Sequence, residues 1–91
     1  MALRMLATRP SERPVAGQVL GGDPADTVEA AKVIASLGFD IVDVNLSCPI
    51  RRVVDRGWGG AYLKDPSRVA GLLARVVGSV SVPVTLKFRS G

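Results

Sequence analysis

Two Asp-Pro pairs, Asp23-Pro24 and Asp65-Pro66, mark out a unit that occurs twice along the chain. An apolar, β-branched run leads to Asp-Pro, the second time through a long loop. An amphipathic stretch, a glycine and another apolar run then follow. Aspartate accepts hydrogen bonds from the free N–H groups of a helix's first turn, and proline lacks an N–H that this turn would leave unpaired. Each pair therefore predicts a helix start. After the first, Ala30, Val33, Ile34 and Leu37 recur at helical spacing and predict one apolar stripe, with Asp26, Glu29, Lys32 and Ser36 on the wetter side. Gly38 suits the left-handed position that closes a helix. After the second pair, Val69, Leu72, Leu73 and Val76 repeat the stripe, and Gly78 is the expected end. The runs 15–20 (VAGQVL), 39–45 (FDIVDVN) and 82–88 (VPVTLKF) predict strands. Residues 1–14, basic and broken by proline, read as a short helix or arm followed by a linker.

Strands alternating with amphipathic helices imply parallel strands joined by right-handed crossovers. Two architectures use this unit, the doubly wound sheet and the (β/α)8 TIM barrel. A dinucleotide-binding sheet would carry G-x-G-x-x-G after its first strand, and the run GGDP does not match. Barrels instead gather polar residues at the C-terminal ends of their strands. Gln18, Asn45 and Lys87 lie near the ends of the three expected strands. Asp43 shares a strand face with Asn45, and Thr85 with Lys87. The fold class is therefore α/β, a partial TIM barrel of about three parallel strands and two crossover helices within residues 15–91. A full barrel takes roughly 250 residues, so the chain reads as a truncated segment of a larger protein, with apolar edges left open.

The chain is 47% hydrophobic and 22% charged, a globular balance. Its single cysteine excludes an internal disulfide, and the lack of histidine removes His-based acid–base catalysis and His/Cys zinc sites from this segment. No metal site is expected. Apolar runs are far shorter than a membrane span and no signal-peptide core follows Met1, so the expected location is the cytoplasm. The formal net charge of +4, from 12 Lys+Arg against 8 Asp+Glu, suits a polyanionic partner such as nucleic acid, and equally a codon bias toward arginine.

Cys48 follows the second expected strand by three residues, beside Pro49, Arg51 and Arg52. A lone cysteine serves as a small buried hydrophobe. In this position it also suits a nucleophile or a proton donor, without a histidine partner. Lys87 is either a lysine snorkelling to the rim or a cation aimed at an anionic ligand atom. Gln18 either caps backbone groups or reads a donor and an acceptor on a heterocycle. Arg51 and Arg52 form a solvated basic turn or a phosphate fork. Trp58 is a stacking platform or a loop anchor.

Taken in series, GQVLGGDP, FDIVDVNLSCP, GWGGAYLKDP and PVTLKFRSG resemble the flavin-binding barrel of the tRNA-dihydrouridine synthases, over roughly residues 14–91. That family reduces uridine in tRNA to 5,6-dihydrouridine with FMN that NADPH has reduced. The resemblance implies that Cys48 protonates C5 of the uracil while hydride arrives at C6 from flavin N5. It implies that Gln18 bonds the flavin pyrimidine edge and that Lys87 faces flavin N1 and O2. Asn45 would lie near the substrate uracil and the flavin, and Arg52, where lysine is common, would contact RNA or substrate. Ser47 stands where the family has glycine, and Gly60 where it has alanine. The run NLSCP is also similar to the motif of dihydropyrimidine and dihydroorotate dehydrogenases, which act on free pyrimidines. A non-enzymatic, basic RNA-binding remnant is the third reading. The remainder of the barrel and a helical RNA-binding domain lie outside these residues, so the 91 residues alone are expected to be inactive.

Overall fold

Strand, helix and strand succeed one another as the Asp-Pro signals predict. The structure, a computed structural model, describes residues 3–4, 13–47 and 56–88. Its elements are β1 (Leu3–Arg4), β2 (Ala16–Leu20), α1 (Pro24–Ser36), β3 (Ile41–Asn45), a 3-10 helix (Gly59–Lys64), α2 (Pro66–Ser79) and β4 (Val84–Lys87). One sheet holds the strands in the order β1-β2-β3-β4. β2, β3 and β4 are parallel. β1 pairs antiparallel with β2, so Leu3 and Arg4 form an edge strand, where the sequence suggests a short helix or an arm.

Strand order and helix placement agree with a barrel segment. Each new strand is added on the same side of the last, and α1 and α2 pack against one another. Both crossovers therefore cover one face of the sheet, as they do all the way round a barrel.

Both helix starts use the expected caps. The Asp23 carboxylate accepts from the Asp26 N–H at 3.2 Å. The Asp65 carboxylate accepts from the N–H groups of Ser67 and Arg68 at 3.1 and 3.3 Å. Gly38 ends α1 with φ +90°. Gly78 does not end α2 in the same way. It lies inside the helix, which runs to Ser79 and stops where Val80 turns extended (φ −132°, ψ 159°). The Ser79 hydroxyl donates to the Val76 carbonyl at 2.7 Å, so it takes up a last-turn carbonyl without a left-handed residue. The expected long loop before α2 also contains the 3-10 helix, which buries Tyr62.

The face that α1 turns inward differs from the apolar stripe read in sequence. Thr27, Ala30, Ala31 and Ile34 are buried, whereas Val33 and Leu37 are 45% and 55% exposed. The reason is closeness of approach. Two alanines let the helix settle on the sheet, where Gly17 of β2 leaves room for Ile34. A Cβ built on Gly17 would stand 2.5 Å from Ile34 Cγ2 and 3.2 Å from Phe39 Cγ. Thr27 can be buried because its hydroxyl donates to the Asp23 carbonyl at 2.9 Å and accepts from the Gly22 N–H at 3.1 Å. α2 follows its expected stripe, with Leu72 and Val76 buried and Val69 and Leu73 packed against the core. At the strand N-termini, the Asp40 carboxylate ties β2 to β3. It accepts from the Val15 N–H at 2.8 Å and pairs with Arg13 at 2.6 Å. Among the described residues no helix is long and apolar enough to cross a membrane.

Gly17→Ala is expected to destabilise the protein by about 1–3 kcal/mol through overpacking, read as a lower urea midpoint. Gly71→Ala, in α2 where an added Cβ meets nothing within 4 Å, is expected to stabilise the protein by about 0.5–1 kcal/mol through helix propensity and the stiffer unfolded chain, read as a higher midpoint.

Candidate functional site

The pleat sends successive side chains to opposite faces of a strand. Gly17 and Val19 of β2 and Val42 and Val44 of β3 turn to the helices and are buried. Their neighbours Gln18, Leu20, Asp43, Asn45, Thr85 and Lys87 stand on the other face. Register arranges these six in two rows. Gln18, Asp43 and Thr85 lie level with one another, and Leu20, Asn45 and Lys87 lie level one step nearer the strand C-termini. Three of the candidate residues, Gln18, Asn45 and Lys87, therefore share a face. They do not occupy equivalent positions, as the sequence suggests. Gln18 sits one row lower, and Leu20 is the β2 residue level with Asn45 and Lys87. Cys48 and Arg52, with Arg51, lie outside the described residues.

The lower row is joined across three strands. Gln18 Nε2 donates to Asp43 Oδ2 at 3.1 Å, and Thr85 Oγ1 donates to Asp43 Oδ1 at 2.7 Å. Asp43 has no role in the sequence reading beyond sharing a face with Asn45. The signal that finds it is alternation, which places an acidic residue two positions before the asparagine on the same face.

In the upper row, Asn45 Oδ1 accepts twice from Ser47, from its N–H at 2.8 Å and its hydroxyl at 2.6 Å. Both bonds end on the carbonyl oxygen, so the Asn45 Nδ2 hydrogens are the ones left for another partner. Ser47 thus contributes a bond that a glycine there would lack. Lys87 is exposed, and no carboxylate among the described residues pairs with it.

The connections leaving the strands are tied together above this row. Gly21 N–H donates to the Asn45 carbonyl at 2.9 Å, Leu46 N–H to the Lys87 carbonyl at 2.8 Å, and Gly59 N–H to the Gly21 carbonyl at 2.8 Å. The Tyr62 hydroxyl donates to the Gly22 carbonyl. Burial pushes the Tyr62 phenol above its ordinary 10.0, partly offset by the nearby Arg68 guanidinium, so the hydroxyl keeps its proton through neutral pH. The folded state holds that proton more tightly than the unfolded chain. The linked stability is therefore complete below the ordinary phenol pKa and is lost as alkali strips the unfolded chain first. Arg68 lies over the Tyr62 ring at 4.3 Å and donates to the Gly57 carbonyl at 2.8 Å. Gly57 and Gly59 take φ +79° and +56°, backbone that favours glycine, whereas Gly60 does not. Trp58 is half-buried with its ring beside Gly22 and Arg56 at 5.4 Å from the ring centre, the position of a loop anchor.

Chemically, the face offers a carboxamide oxygen at Gln18, amide donors at Gln18 and Asn45, and an ammonium at Lys87. That set suits a polar ring edge with alternating donors and acceptors and an atom that carries negative charge. Ser47→Gly is expected to loosen the Asn45 carboxamide, which then keeps only the bond from the backbone N–H of residue 47, while the strand persists. The cost is about 0.5–1.5 kcal/mol, checked by urea unfolding and by broadening or averaging of the Asn45 side-chain amide resonances in NMR spectra.

A family model described as dihydrouridine synthase (Dus) matches residues 1–91. The tRNA-dihydrouridine synthase B of Pseudomonas aeruginosa is 45% identical over 80 residues, which cover 88% of this chain and 24% of that protein. The protein of the same name from Proteus vulgaris is 46% identical over 74 residues, 81% of this chain and 23% of that one. A probable tRNA-dihydrouridine synthase of Rhodobacter capsulatus is 37% identical over an alignment that covers 96% of this chain and 30% of the relative. The chain thus spans between 23% and 30% of the length of these curated relatives.

Proposed function

The chain belongs to the dihydrouridine synthase family, and from that premise we propose that it forms part of a flavin-dependent oxidoreductase that reduces uridine in tRNA to 5,6-dihydrouridine in the cytoplasm. The observation that carries the reading is the shared face of Gln18, Asn45 and Lys87 in adjoining rows of one sheet. Parallel register brings them onto one face from three separate strands, with Asn45 and Lys87 at the end where this kind of sheet binds ligands and Gln18 one row below.

The residues on this face fit FMN. Its pyrimidine edge alternates ring nitrogens with carbonyl groups, and the free carboxamide groups of Gln18 and Asn45 match such an edge. Lys87 would hold the negative charge that gathers on the reduced ring, a fixed cation that needs no rearrangement when charge arrives. When bound, FMN reduced by NADPH supplies the hydride that uracil C6 receives. Cys48 would give its thiol proton to C5, and the thiolate would recover a proton from water. That role needs the protonated thiol, which agrees with a segment that has no histidine to strip it. Asn45 would orient the uracil. Arg52 would contact tRNA phosphate, in keeping with the excess of 12 Lys+Arg over 8 Asp+Glu.

The test uses a chimera that joins residues 1–91 to the remainder of a curated relative, assayed with tRNA and with free uracil. Turnover of tRNA alone is expected, and turnover of free uracil alone would move the protein to the pyrimidine dehydrogenases. Cys48→Ala is expected to lower dihydrouridine formation roughly 10²–10⁴-fold, the scale of general-acid catalysis, with flavin absorbance retained. Undiminished turnover would remove Cys48 from the mechanism. Lys87→Ala is expected to weaken FMN binding and make the flavin harder to reduce, read by fluorescence titration and spectroelectrochemistry. Arg52→Ala is expected to raise KM for tRNA and flatten its salt dependence, with kcat kept.

A further inference from the structure

The geometry points to Asp43 as a positioning residue that sets which way round the Gln18 carboxamide stands, and thereby which pattern of donor and acceptor Gln18 shows to the ring edge. This inference rests on the flavin reading above and adds a residue to which that reading assigns no part.

A carboxamide has two ends of nearly equal size, and rotation by half a turn exchanges an acceptor for a donor. Only a partner that discriminates between the ends can fix it. An ionised carboxylate discriminates completely, because it accepts and cannot donate. Asp43 Oδ2 takes Nε2 of Gln18 at 3.1 Å. Gln18 is left with its Oε1 acceptor and one remaining Nε2 hydrogen. The carboxylate is itself held, since its other oxygen receives the Thr85 hydroxyl at 2.7 Å from the opposite side. β2 and β4 thus grip one side chain on β3, and the register that puts Gln18, Asp43 and Thr85 level makes both bonds possible. Gln18 and Asp43 are both half-buried, so water competes less for the bond between them than it would at an open surface, while the Thr85 bond lies on the exposed side.

Asparagine at position 43 keeps the shape and loses the discrimination. Its single carbonyl oxygen cannot serve both donors as the two carboxylate oxygens do. When Thr85 keeps that oxygen, the new amide N–H faces Gln18 and favours the rotated carboxamide, with Oε1 turned toward Asn and away from the ligand. Gln18 would then offer a donor where it had offered an acceptor, against a ring N–H.

The experiment is a double-mutant cycle on FMN affinity in the same full-length chimera, using Asp43→Asn, Gln18→Ala and the pair. Asp43→Asn alone is expected to weaken FMN binding about tenfold, the scale of one hydrogen bond to a charged group. In the Gln18→Ala background it is expected to change affinity by less than about twofold, because a residue that acts through Gln18 has nothing left to act on. Asp43→Glu, which keeps an acceptor-only group, is expected to recover part of the lost affinity. Equal losses in both backgrounds would show that Asp43 supports the sheet and does not orient Gln18, and would overturn the inference while leaving the flavin reading in place. Failure of the unsubstituted chimera to bind FMN would overturn both. Should Asp43→Asn not fold, NMR of the unsubstituted protein decides. One Gln18 Nε2 proton shifted downfield of an unbonded carboxamide and slow to exchange supports the inference, and both protons at the shifts and exchange rates of an unbonded carboxamide overturn it.

Discussion

Parallel pairing of β2, β3 and β4 sets Val42 beside Gly17 and Val84, and Asn45 beside Leu20 and Lys87. The pleat has a period of two, so this register sorts every strand residue between helix cover and open face in one stroke. A slip by a single residue in any strand would turn valines outward and drive Gln18, Asp43 or Lys87, according to the strand, against the helices. Burial of Val19, Val42 and Val44 beneath α1 and α2 opposes that slip. Hydrophobic packing on one side of the sheet therefore determines the polar chemistry on the other. The same valines that make the core bring Gln18, Asp43 and Thr85 level, and only then can one carboxylate reach two neighbouring strands.

The C-terminal end of the sheet adds a second set of constraints, made largely of backbone. Gly21, Gly59 and Tyr62 lock the exit of β2 to the segment before α2. A Cβ on Gly21 would collide with the Leu46 side chain, so the exits of β2 and β3 are held close together. Loops that must carry functional side chains gain placement from such ties without spending side chains on them. Arg68 and Arg56 lie over the aromatic rings of this region.

Much of this organisation is legible in the sequence, because its signals are local and have one cause each. Asp23 and Asp65 cap helices wherever they occur before proline, and Gly38 closes α1 because only a glycine adopts φ +90° without strain. The stripe of α2 is legible because leucine and valine dominate it. The inner face of α1 is legible only in half, since Ala30 and Ile34 lie in the expected stripe and Thr27 and Ala31 do not. Hydropathy cannot register that small residues gain by approaching closely or that Thr27 finds both its partners nearby. Gly78 reads as a terminator, whereas α2 runs past it to Ser79 and stops where Val80 turns extended. The candidate face is legible in its membership and not in its levels. Strand ends read from composition put Gln18 beside Asn45 and Lys87, whereas register puts Leu20 there. Asp43 escapes a reading of single residues because its significance lies in partners that lie 25 and 42 positions away.

Gly17 and Ile34 occupy what amounts to one shared volume, since a Cβ on the glycine would fall 2.5 Å from the isoleucine's γ2 methyl. The two positions are then not free to drift independently over evolutionary time. A methyl gained at 17 has to be surrendered at 34, by exchange for a shorter residue, before the helix can lie equally near the sheet. Lineages that carry alanine at the first position should carry a trimmed partner at the second, a correlated exchange imposed by steric exclusion and visible as a pairwise imprint between two sites that take no part in the reaction.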